Sequence, residues 1–255
     1  MAPPIEPTPD ASTVPADPDA QRLADAAKAL DIALTEGQVQ KLLAYRALLL
    51  RWNRVHNLTA LRTPDEALTH HLFDCLAVVP PLLRHVAGLA WHSDGADAEQ
   101  APGTAARALR LPVLDVGAGG GLPGVVIAVT CPQVAQVTCV DSVAKKMAFV
   151  HQVAAQLQLT NLSAQHRRVE TLQEPTFALI TSRAFAALPD FVRLTEPCLQ
   201  PGGVWMAMKG RVPDEEIAAL PPGIDVFHVE PLSVPGLAAQ RCLVWMRRKP
   251  AGATS

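Results

Sequence analysis

Apolar positions change their period once along this chain, and the change divides it in two. From Asp19 onward they recur at helical spacing: Leu23, Ala26, Ala27 and Leu30 share one face. After Thr35, a residue suited to capping, the run Val39, Leu42, Leu43, Arg46, Leu49, Leu50 repeats the pattern and predicts a second helix. Further helices are predicted near 65–75 and 75–86, with Pro64 well placed in a first turn. From residue 111 short apolar runs alternate with amphipathic ones. Strands are predicted over 111–116, 136–140, 162–166, 177–181, 204–208, 226–229 and 242–246, and helices over 122–130, 144–157, 187–199 and 213–220. Such alternation implies a mainly parallel sheet with helices on both faces. The stretch 230–241 carries two prolines, one glycine and no helical pattern, so the last two strands are expected as an antiparallel hairpin at the sheet edge. The fold class expected is α/β: a doubly wound, seven-stranded sheet with a small N-terminal helical unit.

Composition adds the boundaries. Residues 1–19 are rich in Pro, Asp, Ser and Thr and cannot offset their ordering entropy, so a disordered tail is expected there. Residues 87–110, with Gly88, Gly95, Pro102 and Gly103, read as a mobile connection. The expected organisation is tail 1–19, helical unit 20–86, connection 87–110, α/β domain 111–249 and tail 250–255. No apolar run approaches the roughly 20 residues that cross a bilayer, and the N-terminus lacks a basic and apolar leader pattern. A cytoplasmic protein without a membrane partner is expected. Five cysteines (Cys75, Cys131, Cys139, Cys198, Cys242) without a C-x-x-C pair suggest reduced, mostly buried thiols, and no metal site is read.

The net charge of −2 is unevenly spread. Residues 1–31 hold six acids and two bases, and 92–100 hold three acids and no base; the remainder carries 15 acids against 20 bases, a surplus of +5. That surplus permits phosphate contacts without requiring them.

The segment carrying chemistry is VLDVGAGGGLPG, residues 113–124, an apolar strand running into glycines and then a helix. Glycine is needed where the chain turns sharply and where a ligand approaches the backbone closely. Gly119, Gly121 and Gly124 also satisfy the spacing of a dinucleotide fingerprint, so spacing leaves two cofactors open. Adenosylmethionine is favoured by Asp115, whose acid-x-Gly-x-Gly context would set a carboxylate near a methionine moiety. The terminal hairpin, with no later substrate domain, favours it too. Asp141, ending the second strand, suits ribose hydroxyls in either cofactor, and could instead cap the following helix.

The segments GAGGGLPG, VDSVAKKMAFVHQV, SRAFAAL and AMKG, with the N-terminal RWNRVHNLTAL and HHLFDCLAVVP, resemble the RsmG (GidB) family of small-subunit rRNA guanine-N7 methyltransferases. The resemblance runs from about Ala44 to Met246 through six motifs in the same order. It implies a class I methyltransferase (Rossmann-like) sheet and S-adenosyl-L-methionine as methyl donor. The implied target is N7 of one guanine of 16S rRNA, guanine 527 in the 530 loop. Cofactor contacts are implied at Gly117, Leu122, Val169, Glu170 and Arg183, to which the glycine-loop and ribose arguments add Gly119 and Asp141. Glu170 could also be an exposed strand-end acid, and Arg183 a surface salt-bridge partner. Cys75 stands where the family usually has serine, and the connection and N-terminal tail look longer than typical.

A sulfonium methyl is already activated, and guanine N7 presents a lone pair with no proton to lose. No catalytic base or nucleophile is therefore required; orientation suffices. The Asn/Asp-Pro-Pro-aromatic motif of amino-group methyltransferases is replaced here by Ser182, Arg183, Ala184, Phe185, and Cys198 reads as core. Phosphate contacts are expected from Arg183, Lys209, Arg211 and Arg167, and Phe185 could stack on a base or belong to the core. Trp52, Asn53, Asn57, His70, His71 and Asp74 are read as a polar brace between the helical unit and the sheet. The expected partner is 16S rRNA or a small-subunit particle, bound by a monomer.

Overall fold

The structure is a computed structural model that describes residues 17–60, 63–93 and 110–250. Helix α1 (Pro18–Ala29) starts inside the expected tail, because Asp17 accepts from the Asp19 amide and Pro18 occupies the first turn. Residues 1–16 lie outside the described residues, as do 94–109 and 251–255, where the rest of the expected connection and the C-terminal tail fall. Helix α2 (Glu36–His56) opens with a capping box in which Thr35 and Gln38 satisfy each other's backbone amides. Its buried face is rotated from the expected one: Tyr45 and Leu48 join Val39, Leu42, Leu43 and Leu49, while Arg46 pairs with Asp19 at 2.8 Å.

The next helix is one rod in three parts, α3 (Pro64–Ala67), a π turn (Leu68–Phe73) and α4 (Asp74–Leu76), followed by α5 (Val79–Ser93). Helix α5 thus runs through 87–93, which the sequence reading assigned to the connection. Gly88 sits within it, exposed and with nothing within 4 Å of where a Cβ would stand, at a cost of about 1 kcal/mol relative to alanine. The stretch Pro64–Leu89 is long and apolar enough to cross a membrane by length and composition, contrary to the sequence reading. More than half of its most apolar window is buried within the protein, as a core helix would be.

Seven strands follow: β1 (Leu111–Val116), β2 (Ala135–Asp141), β3 (Leu162–His166), β4 (Phe177–Arg183), β5 (Leu199–Lys209), β6 (Ile224–Pro231) and β7 (Cys242–Arg248). Their order is β3-β2-β1-β4-β5-β7-β6, with β7 inserted antiparallel between β5 and β6. The crossovers use α6 (Gly124–Thr130), α7 (Ala144–Gln156), α8 (Leu188–Thr195) and α9 (Asp214–Ala218). Helix α8 stops short of the expected 199 because Pro197 lacks an amide donor, and a 3-10 turn, Glu196–Cys198, completes the span. Winding reverses between β1 and β4, and ligands of open α/β sheets bind outside the carboxyl ends at such a switch point. Here that point joins the glycine segment to Arg183, since Val116 pairs with Ser182 in register.

Each sheet face has a core. On one, Leu114, Val116, Ile180, Phe191 and Trp205 pack together, and the Trp205 indole donates to Thr195 Oγ1 at 2.8 Å. On the other, Val113, Val137 and Met206 share a single cluster with Leu42, Tyr45, Leu72 and Leu82 of the N-terminal helices. Because α1 is folded, its segment belongs in the charge count. Restoring residues 17–31 returns four acids and two bases and lowers the positive surplus from +5 to +3.

Candidate active site

The glycine segment turns above the carboxyl end of β1. Gly117, Gly119 and Gly121 have φ of +64°, +58° and +89°, a left-handed conformation that side chains disfavour. Two of these positions are also tightly packed. A Cβ on Gly117 would stand 2.5 Å from the Phe185 ring, and one on Gly121 2.6 Å from Val125. Gly119 differs, because a Cβ there would meet nothing nearer than 4.0 Å and would project into open space.

Asp115, expected near a methionine moiety, is engaged with the backbone of the glycine segment. It is fully buried, its Oδ2 accepts from the Gly124 amide at 2.8 Å, and it does not line either of the two cavities beside the loop. Among the described residues its Oδ1 has no hydrogen-bond partner, and neither has Oγ1 of Thr181, its neighbour in register on β4. Burial pushes the Asp115 carboxyl up to about 7, against the pull of the Gly124 amide. This acid supports the loop from beneath.

Two cavities flank the loop and meet at Gly117 and Ala184, which line both. One, of about 390 Å³, gathers Asp141, Val169, Glu170 and Arg167 with Phe185 and Lys146. Asp141 spans both readings made from sequence: Oδ1 accepts the Val143 amide at 2.9 Å beside the start of α7, while Oδ2 accepts the Gly119 amide at 3.1 Å and Lys146 Nζ at 3.3 Å. Val169 is buried and Glu170 exposed on a 3-10 turn, Val169–Thr171, and Arg167 is exposed and donates to Thr171 Oγ1. Phe185 forms cavity wall against Gly117 and meets Phe191 edge-on, so its role in the fold is packing.

The other cavity, of about 480 Å³, is lined by Gly119, Leu122, Arg183, Lys209 and residues of the N-terminal helices. Arg183 is no surface arginine. NH1 donates to the His70 carbonyl at 3.0 Å and to Asp74 Oδ2 at 3.3 Å, and NH2 lies 3.1 Å from His71 Nδ1. Guanidinium has no lone pair to offer, so Nδ1 must accept, and the ring proton resides on Nε2, 2.8 Å from Thr59 Oγ1. An Nδ1 so used has no proton for the His70 carbonyl at 3.1 Å. Burial and the Arg183 charge push the His71 imidazole down to about 4, which keeps it the neutral acceptor this geometry requires. The π turn makes the arrangement possible, since its wider winding brings the His70 carbonyl and the His71 ring to the same guanidinium.

Sequence reasoning missed three participants. Tyr45 Oη donates to the Gly120 carbonyl at 2.8 Å, fully buried. Arg241, from the β6–β7 connection, donates through Nε to Asp74 Oδ1 at 2.8 Å. Ala184 has φ of +54°, an unusual conformation for a residue with a Cβ, where the chain passes between the cavities. Of the residues expected at the site, Asp115 and Arg211 line neither cavity.

The profile of a protein family described as rRNA small subunit methyltransferase G (GidB) matches residues 38–87 and 103–244. The chain belongs to that family. It is 54% identical over 230 residues to the ribosomal RNA small subunit methyltransferase G of Methylibium petroleiphilum, covering 90% of this chain and 95% of that one. The counterpart from Verminephrobacter eiseniae is 56% identical over 227 residues, covering 89% and 93%. Among solved structures, TrmN from Thermus thermophilus is similar with a TM-score of 0.45 and 20% identity, covering 55% of this chain and 44% of that one. A SAM-dependent methyltransferase from Aquifex aeolicus gives 0.43 and 18%, covering 55% and 84%.

As a GidB-family methyltransferase the chain acts on small-subunit rRNA and takes its methyl group from S-adenosylmethionine. The residues present fit that donor. The open face of Gly119 supplies the cradle that a Cβ would fill, and Asp141 supplies a buried carboxylate beside it.

Proposed function

We propose that this chain methylates N7 of a single 16S rRNA guanine, guanine 527 in the 530 loop. The observation carrying this reading is the state of the carboxylates buried in the cavity walls. Asp74 is paired with two arginines and Asp141 holds three N–H donors, so neither is placed as a free base. An acceptor that must shed a proton would be poorly served there. A ring nitrogen with an in-plane lone pair needs only to be held in line and away from water.

When bound, the cofactor supplies an activated methyl on a sulfonium. The adenosine end is assigned to the cavity of Asp141, Val169 and Glu170, and the methionine end to Gly117, Gly119, Leu122 and Arg183. Placing the reacting centre where the cavities meet, at Gly117 and Ala184, leaves the mouth beside Lys209 for the base. Arg183, Lys209, Arg211 and Arg167 are proposed as RNA contacts. The substrate is free rRNA or an assembling particle, and the enzyme works as a cytoplasmic monomer.

The test is chemical. Borohydride and aniline cleave RNA at N7-methylguanine, and primer extension locates the break. A deletion strain should lose the stop at the target guanine and regain it with this chain. A stop that persists in the deletion strain excludes this reaction, and restored methylation elsewhere in the rRNA would assign a different position.

A further inference from the structure

A third groove, of about 850 Å³, lies between the turn after β5 and the β6–β7 connection. It opens onto the Arg183 cavity, since Lys209, Gly210 and Arg241 line both. Its cations are not equivalent. Lys209 Nζ uses two of its three donors within the protein, on Glu216 at 2.7 Å and on the Ala186 carbonyl at 3.1 Å. Arg241 is fixed but has donors left: Nε is held by Asp74 and NH1 by the Gln240 carbonyl at 2.7 Å, while NH2 makes no hydrogen bond among the described residues. Asp74 answers both Arg183 and Arg241, so the trio keeps one positive charge at the mouth between groove and cavity. Arg211, exposed on the groove, forms no ion pair among the described residues.

We propose that this groove receives the nucleotide adjoining the target base, with Arg241 on the phosphate joining the two and Arg211 on the next phosphate along the strand. The proposal rests on the reading that an RNA base enters the Arg183 cavity. A strand cannot continue through the buried part of that cavity's wall, Leu49, His71 and Leu122, whereas the groove joined to it at Lys209, Gly210 and Arg241 offers a path out. At that opening Gly210 has nothing within 4 Å of where a Cβ would stand, and the strand can cross close to the backbone. Asp214 and Glu215 face the groove from α9 and repel phosphate, which confines the RNA backbone to the arginine side. A planar guanidinium already oriented by a carboxylate loses little freedom on binding a phosphate.

Phosphate contacts are read by salt. Binding of small-subunit rRNA, free and in 30S particles from a strain lacking the enzyme, is measured against salt concentration for the full chain, Arg241→Gln and Arg211→Ala. Each variant should flatten the log–log slope by about 0.7, the share of one single-strand phosphate. Each should also weaken RNA binding roughly tenfold, the scale of one charge-assisted hydrogen bond, with unchanged affinity for S-adenosylhomocysteine. Unchanged slopes in both variants overturn the proposal. So does loss of S-adenosylhomocysteine affinity in Arg241→Gln with a normal Arg211→Ala, which would make Arg241 a strut of the cofactor cavity. Because the readout is binding, it stands apart from the identity of the methylated position, which the cleavage assay decides.

Discussion

Tyr45 and Gly120 are 75 positions apart in sequence and joined by a buried hydrogen bond of 2.8 Å, from the phenol to the carbonyl. The N-terminal helices therefore form part of the glycine loop's support. A Cβ on Gly120 would fall 2.9 Å from Leu49 of the same helix, so α2 closes against the loop with no room to spare. Replacing Tyr45 by phenylalanine keeps the packing and leaves that carbonyl unpaired, a cost of about 1–3 kcal/mol. Tyr45→Phe should remain folded and lose affinity for S-adenosylhomocysteine by calorimetry. Loss of stability with unchanged affinity would show that the bond serves the fold alone.

Gly117 and Gly119 should respond oppositely to substitution. Gly119→Val projects into open space, so cofactor binding should be abolished while the melting temperature falls only by the strain of its positive φ, about 1–2 kcal/mol. Gly117→Ala adds a collision at 2.5 Å with Phe185 to the same strain and should destabilise the protein more. A Gly119→Val protein that binds S-adenosylhomocysteine normally would remove the loop from the cofactor site, and binding of NAD would restore the dinucleotide alternative.

His71 and Asp115 oppose each other in pH dependence. The His71 imidazole lies near 4 in the folded chain against 6.5 for a free ring. Its contribution to stability is complete above about 6.5 and is lost as pH falls toward 4. The Asp115 carboxyl lies near 7 against 3.8, so its contribution is present below 3.8 and lost as pH rises through 7. In the shared window the two contributions oppose each other in the wild-type profile, with His85, whose imidazole is also pushed down by burial, adding to the slope of His71. Urea midpoints of Asp115→Asn should rise with pH between about 4.5 and 6.5, and those of His71→Gln should fall. Parallel profiles in all three proteins would refute both assignments.

The α/β part was legible because its signals are local. Apolar runs ending in glycine or acid mark β1 and β2, and Pro231, Pro235 and Gly236 mark the edge hairpin. What escaped depends on distance. Tyr45 falls outside the apolar face predicted for α2, and nothing near it in sequence reveals a partner 75 residues away. Arg241 lies in a stretch without periodicity and finds Asp74 at a separation of 167. The polar brace expected from His71 and Asp74 takes the form of a clamp on Arg183, which a helical repeat cannot disclose because a π turn alters the facing of those side chains. The bond from the Gly124 amide to Asp115 beneath the loop is likewise hidden, because the acid-x-Gly-x-Gly spacing does not show which way the carboxylate points.

Arg183 carries the prediction most sensitive to geometry. Its guanidinium donates in two directions at once, through NH1 to Asp74 and the His70 carbonyl and through NH2 to His71, and its remaining N–H groups make no hydrogen bond among the described residues. A lysine ammonium is a point charge and cannot reproduce a planar fork, so Arg183→Lys should lower methyl transfer on the order of a hundredfold, the effect of a small misplacement at the reacting centre. Since the side chain lies against the proposed methionine end, cofactor affinity should fall as well. Transfer reduced with intact affinity would instead place Arg183 on the RNA. The clamp itself is separable by a double-mutant cycle with Asp74→Asn, where direct coupling should give a non-additivity of about 0.5–3 kcal/mol in cofactor binding. Additive losses would mean that the 3.3 Å contact between Arg183 and Asp74 does not transmit to the cavity, and normal affinity with normal transfer in Arg183→Lys would remove this arginine from the site altogether.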